Sequence, residues 1–307
     1  SIGAVNAQSW PTKPVRVVVT LPPGSGTDII ARAVSERLQA QTGQPFVVEN
    51  RPGASGVIGQ AAVAKADPDG YTIAVHSSSS TVTPSTNPNL PYDLLRDFSG
   101  ITMLANVPNV LVLPPEKNLR SVRALVDLAR AKPGTLNYAS IGTGSATHLN
   151  SERFSLGANI QVVQVPYKGT AEALTDLISG RADYCFCPVV NVLPLVKEGK
   201  LVALAVGSSR RASGLPDVPT TEEAGVPNSA YNFWVGMSVA SRTPREIVSR
   251  LHAETVKALN SPEIKERYAR LGAELQIFTP AEFDAYIRDE VAANAALVKA
   301  AGIKLNQ

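Results

Sequence analysis

Cysteine, aromatic residues and net charge are all scarce in this 307-residue chain, and each scarcity narrows what the protein can be. The only cysteines, Cys185 and Cys187, are two positions apart, so strand geometry points both to one face. No second Cys/His pair lies near enough to complete a zinc site. A disulfide closing so short a ring would be strained, and two buried free thiols are the expectation. The formal charge is only +3, with Lys and Arg interspersed among Asp and Glu, so there is no basic stripe to match a phosphate backbone and nucleic acid is not an expected partner. There is also no run of about 18 apolar residues, which excludes a membrane-spanning helix in the chain as given.

What is present is 44% hydrophobic residues, enough for a large core in a chain sized for two domains of roughly 150 residues each. Val5-Asn6-Ala7 before Gln8 reads as the small-residue end of a removed secretory signal peptide, or equally as a tag remnant. Strand-like runs then alternate with helical patterns. Val15–Leu21 precedes a helix over Asp28–Gln41, in which Ile29, Ile30, Ala33, Val34 and Leu38 form one apolar face. Phe46–Val48, Gly56–Ala66 and Tyr71–Val75 continue the alternation, and the same grammar returns from Val110 to Val206. This predicts an α/β architecture with largely parallel sheets, followed by a helical C-terminal part whose helices begin at Thr243-Pro244, Ser261-Pro262 and Thr279-Pro280.

Four segments join a strand end to a helix start through a turn rich in glycine or hydroxyls. They contain Gly24, Ser25, Gly26 and Thr27; Ser55; Gly142, Thr143, Gly144, Ser145 and His148; and Tyr167, Lys168, Gly169 and Thr170. The first turn of a helix has N–H groups with no intrahelical partner and carries the positive end of the macrodipole, and glycine lets a ligand approach the backbone. Two such loops in each half fit an anion held between two domains. Thr27 or Asp28 is the expected cap of the first helix. His76, Ser77 and Ser78 follow the third strand, where parallel-sheet sites form, and join the candidate set.

Two enzyme readings compete. Gly24-Ser25-Gly26 between a strand and a helix, with Glu49 ending the next strand, suggests a dinucleotide site, but Ile29 stands where the fingerprint requires Gly or Ala. A serine hydrolase lacks its Gly-x-Ser-x-Gly elbow at Ser25, Ser55 and Ser145. A non-enzymatic binding protein that needs no cofactor is the preferred reading.

The order of several short segments carries a family likeness: Trp10 to Arg16, Pro22 to Asp28, Val48 to Ala54, Asp67 to Thr72, Val165 to Gly169, Gly199 to Leu201 and Pro216 to Pro227. Together they resemble the receptors of tripartite tricarboxylate transporters, the Bug family, over nearly the whole chain. One departure is Ser25, where the family commonly has the second glycine of Pro-Gly-Gly.

The resemblance implies a two-lobed, periplasmic-binding-protein-like (type II) fold with crossover strands and a cleft between lobes at residues 1–104 plus 237–307 and 105–236. It also implies a monomeric periplasmic receptor that captures a small organic carboxylate and hands it to a membrane permease. By the same likeness the carboxylate is held by backbone amides, small hydroxyls and waters of the first and third loops, the Tyr167–Thr170 loop closes over it, and Trp234 lies near the cleft. From the residues themselves, His76 and the hydroxyl-rich segment Ser77–Thr81, with its four consecutive serines, are expected to receive a second carboxylate. That favours a dicarboxylate, aliphatic or aromatic such as terephthalate, with an amino acid or a nicotinate-like monocarboxylate as the alternative.

Overall fold

The structure, a computed structural model, describes residues 10–302; the expected signal-peptide end at Val5–Gln8 lies outside the described residues. The chain first builds β1 (Val15–Val19), α1 (Gly26–Thr42), β2 (Phe46–Asn50), α2 (Val57–Ala64), β3 (Thr72–Ser77), α3 (Thr83–Thr86) and β4 (Phe98–Asn106). It continues with β5 (Asn109–Leu113), α4 (Val122–Ala131), β6 (Asn137–Ser140), α5 (Ala146–Ala158), β7 (Val163–Pro166), α6 (Thr170–Ile178), β8 (Tyr184–Pro188), α7 (Val189–Lys197) and β9 (Val202–Val206). It returns through β10 (Trp234–Ala240) to α8 (Arg245–Leu259), α9 (Pro262–Leu271) and α10 (Pro280–Ala300).

These strands form two five-stranded sheets of matching plan, β2-β1-β3-β10-β4 and β7-β6-β8-β5-β9. In each, the first three strands are parallel and the fourth runs antiparallel to both neighbours. The fourth strand is also the one that arrives from the other sheet's half of the chain: β10 follows β9, and β5 follows β4 after two residues. The two connections touch, Val107 N–H donating to the Phe233 carbonyl at 2.8 Å. The expected lobe boundaries at 104/105 and 236/237 fall inside β4 and β10.

The inner strands are largely buried on both faces, as strands covered by helices must be, whereas the edge strands β2 and β7 are partly exposed. Val15, Val17 and Val19 of β1 point into the main core with α1, while Val18 faces a second cluster holding Trp234, Phe283 and Ile287. In β8, Tyr184 and Phe186 face α5 and Cys185 and Cys187 the other side. That alternation brings the two sulfurs together, and they form a disulfide across Cα atoms 5.4 Å apart, correcting the expectation of free thiols.

Among the three Ser/Thr-Pro starts, Ser261 and Thr279 cap α9 and α10, the latter with a full capping box through Glu282. Thr243 does not cap α8: Pro244 keeps an extended ψ of 138°, so the helix begins one residue later than expected.

Candidate functional site

The ends of β1 and β6 are followed by two loops of the same design. Thr20-Leu21-Pro22-Pro23-Gly24-Ser25-Gly26-Thr27-Asp28 and Ser140-Ile141-Gly142-Thr143-Gly144-Ser145-Ala146-Thr147-His148 align without a gap at an offset of 120 residues. In both, the serine at the sixth position is the N-cap: Ser25 Oγ accepts from Asp28 N–H at 3.3 Å, and Ser145 Oγ accepts from His148 N–H at 3.2 Å. This corrects the expectation that Thr27 or Asp28 caps α1. The glycine before each cap adopts positive φ, +76° at Gly24 and +77° at Gly144, a conformation that favours glycine.

The ninth residue of each loop reaches back to that glycine. Asp28 accepts the Gly24 N–H at 2.9 Å, and His148 Nδ1 accepts the Gly144 N–H at 3.0 Å. The chemistry of the two acceptors differs. Burial by itself would raise the Asp28 pKa, but hydrogen bonds from Arg32, Gly24 and Asn50 outweigh it and hold the carboxyl below its ordinary range. Its charge at the α1 N-terminus is thereby compensated by Arg32. His148 stacks on Tyr138 and has its Nε2 3.8 Å from the Glu152 carboxylate, and burial lowers its pKa to about 4, which keeps Nδ1 an acceptor at neutral pH.

The two helix starts face one another across a narrow apex of ≈ 10 Å³ bounded by Ser25, Gly26, Ser79, Ser145, Ala146 and Thr147, with Pro188 and Phe233 behind. A Cβ placed on Gly26 would lie 3.1 Å from Pro188 Cβ, a tight contact that Pro188 would have to relieve by a few tenths of an ångström. Ser79 Oγ already accepts the Ala146 N–H at 3.0 Å, showing that this amide presents itself to an oxygen from the opposite sheet's half. Asn191 Nδ2 of α7 donates to the Gly24 carbonyl at 2.8 Å.

Leu21 and Ile141 form both the roof of the apex and the floor of a larger cavity of ≈ 670 Å³. Its remaining walls are the Pro52–Gly56 turn on one side and Gly142, Thr143, Tyr167 and Lys168 on the other. Four consecutive residues of that turn, Gly53 to Gly56, have positive φ, including the non-glycines Ala54 (47°) and Ser55 (55°). Left-handed backbone costs an L-residue roughly 1–2 kcal/mol, and strain of this kind concentrates at ligand clamps. The conformation delivers Ser55 Oγ to the Thr143 carbonyl at 3.0 Å, bridging the cavity.

Most expected site residues therefore converge. Ser25, Gly26 and Ser145 line the apex; Ser55, Gly142, Thr143, Tyr167 and Lys168 line the cavity; Gly24, Gly144 and His148 shape the loops behind them. A Cβ on Gly169 would come within 3.7 Å of Pro22, while Thr27 and Thr170 are buried in the first turns of α1 and α6.

Others do not reach the site. His76 alternates with Ala74 onto the β3 face away from the cleft, bonds Ser80 at 2.9 Å and Ser238 at 2.8 Å, and packs against Trp234 and Phe283. Burial lowers its pKa to about 4, so it is a neutral core residue. Trp234 lies on the same side of the first sheet and is fully buried, its neighbour Phe233 taking the place at the apex. Ser77 and Ser78 are buried and outside both cavities, Ser77 accepting the Ser79 N–H. Leu21, Ile141, Thr147 and Ser79 are among the additions, together with Ala146, Pro188, Phe233, Pro22 and the rest of the Pro52–Gly56 turn. The nine-residue repeat picks out the first three, and Ser79 belongs to the serine tract already noted.

The description "Tripartite tricarboxylate transporter family receptor" belongs to a family model that matches residues 30–303. The chain belongs to this receptor family. Among its relatives, protein BugT of Bordetella pertussis is 38% identical over 303 residues, covering 98% of this chain and 93% of that protein. A solved structure described as a periplasmic transporter superposes with a TM-score of 0.92 at 35% identity, covering 97% of this chain and all of that one. R. palustris Rpa4515 with adipate matches equally well, TM-score 0.92 at 33% identity and the same coverage. The family relationship makes the protein a receptor rather than an enzyme, and the two sheets are those of a two-lobed periplasmic-binding-protein-like fold. Among the described residues no helix is long and apolar enough to cross a membrane.

Proposed function

We propose that this receptor works in the periplasm, reached through a removed signal peptide, where it captures a small organic carboxylate as a monomer and delivers it to a membrane permease of the tripartite tricarboxylate type. The observation that carries the reading is the pair of serine-capped helix starts, α1 and α5, converging on one apex from the two halves of the chain. First-turn amides at Gly26 and Thr27 on one side and Thr147 on the other have no intrahelical partners, the Ala146 N–H would exchange Ser79 Oγ for the ligand, and both macrodipoles present their positive ends to an anion.

A carboxylate between them bridges the two lobes, one carrying each sheet, and favours the state in which both sets of contacts are made. A dicarboxylate, aliphatic or aromatic such as terephthalate, is the favoured ligand, and the adipate held by the R. palustris relative is of that class. A thermal-shift panel of mono-, di- and tricarboxylates, aromatic acids and amino acids tests this, because selective binding raises the melting temperature by mass action. Selective stabilisation by dicarboxylates is expected. Shifts confined to monocarboxylates or amino acids would replace the ligand class, and no shift anywhere in the panel would contradict the carboxylate reading.

A further inference from the structure

The larger cavity differs in chemistry from the apex. Leu21, Pro22, Pro52, Ala54, Ile141 and Tyr167 give it mostly apolar walls, and its charged wall residue is Lys168. Two basic residues flank this region, on the loops that follow the edge strands β2 and β7, and they are held differently. Arg51 is tied back to Glu49 at 2.5 Å and does not line the cavity. Lys168 has no carboxylate partner for its ammonium among the described residues; the nearby Glu172 is engaged by the Lys168 backbone N–H at 3.1 Å. Tyr167 is likewise fixed, its hydroxyl donating to Asp176 at 3.0 Å, so that its ring rather than its hydroxyl is available to the cavity.

We propose that the cavity is a distal subsite which takes an apolar spacer along its walls and a second anion at Lys168, so that the receptor selects dicarboxylates whose spacer is a plain alkane or arene. This rests on the carboxylate reading above and sharpens it. With one carboxylate at the apex, a ligand extending past Leu21 and Ile141 enters the cavity directly, because those two residues border both spaces. Hydroxyl groups on the spacer would lose water against proline, leucine and isoleucine without gaining partners, which disfavours polyhydroxylated diacids. A monocarboxylate of the same length would fill the corridor but forgo the ion pair, leaving the exposed Lys168 ammonium to water.

Calorimetric titration of the full chain with adipate, hexanoate and galactarate, and with terephthalate and benzoate, tests the assignment in wild type, Lys168→Met and Lys168→Arg. In at least one of the adipate–hexanoate and terephthalate–benzoate pairs, the diacid is expected to bind about fivefold or more tightly than its monoacid. In the adipate pair the preference extends over galactarate, which has the same chain length and carries hydroxyls. Lys168→Met should remove the diacid preference and Lys168→Arg should restore it, with an unchanged thermal unfolding midpoint of the unliganded variants reporting that both are folded. The wild-type preference should shrink as salt is raised.

Unchanged diacid affinity in Lys168→Met, or equal binding of diacid and monoacid by wild type, would overturn the distal subsite while leaving the carboxylate receptor intact. A preference for galactarate over adipate would overturn the apolar-spacer part. Failure of every probe to bind would overturn both.

Discussion

The β1–α1 and β6–α5 loops share a frame and differ in what holds it. Both place a serine cap at the same position and turn the preceding glycine N–H back onto the residue four ahead. In the α1 loop that residue is a carboxylate locked by Arg32 at 3.0 Å and Asn50 at 2.8 Å, so two groups besides the glycine amide depend on it. In the α5 loop it is a neutral imidazole whose structural hydrogen bond goes to one glycine. The backbone geometry presented to a ligand is thus common, whereas the robustness of each half to mutation and to pH is not.

Removing the two acceptors gives the largest expected effects. Asp28→Ala strands the Gly24 amide, Arg32 and Asn50 together and is expected to cost about 3 kcal/mol in urea unfolding, whereas His148→Leu strands one amide and should cost about 1–2 kcal/mol. Equal losses would break the comparison.

Acid should separate the halves next. A histidine held at about 4 in the folded chain and near 6.5 unfolded is protonated preferentially by the unfolded state, so its stabilising contribution is intact above 6.5 and lost as pH falls toward 4. Asp28 has its pKa lowered, so its contribution persists until pH falls below the ordinary aspartate value of 3.8. Between pH 6.5 and 4 unfolding midpoints should therefore fall in wild type, less steeply in His148→Leu and with unchanged slope in Asp28→Ala. His76 contributes the remaining histidine part from the core.

The caps should behave alike: Ser25→Ala and Ser145→Ala are each expected to cost about 1 kcal/mol, and a difference larger than the cap effect itself would show that the loops are not equivalent. The smallest change is expected at Ser55→Gly, where relief of a left-handed residue offsets loss of the bond to Thr143, leaving unfolding free energy within about 0.5 kcal/mol of wild type.

Much of the site was legible because its chemistry lies in local turn residues. Glycines and hydroxyls at strand-to-helix junctions mark Gly24 to Thr27 and Gly142 to Ser145 directly, and the nine-residue repeat of those junctions marks Leu21, Ile141 and Thr147. What was not legible depends on which face of a strand is covered. His76 and Trp234 sit at strand positions that touch the cleft in sequence, yet period-2 alternation turns both toward α10, and only the packing of Phe283 there reveals it. The α7 helix went unread because Tyr184–Leu195 is almost continuously apolar and contains Pro194, so strand and helix have no polar break between them. Cys185 and Cys187 share one strand face in the sequence pattern, but the strain of so short a ring points away from the disulfide that this proximity permits.

The central claim is that one ligand carboxylate is shared by both helix starts. Following the backbone amide resonances of Gly26, Thr27, Ala146 and Thr147 during titration with adipate or terephthalate tests it most directly. The account predicts that amides of both helices shift together along one binding curve. Saturable binding that moves the amides of only one helix, or of neither, would contradict it.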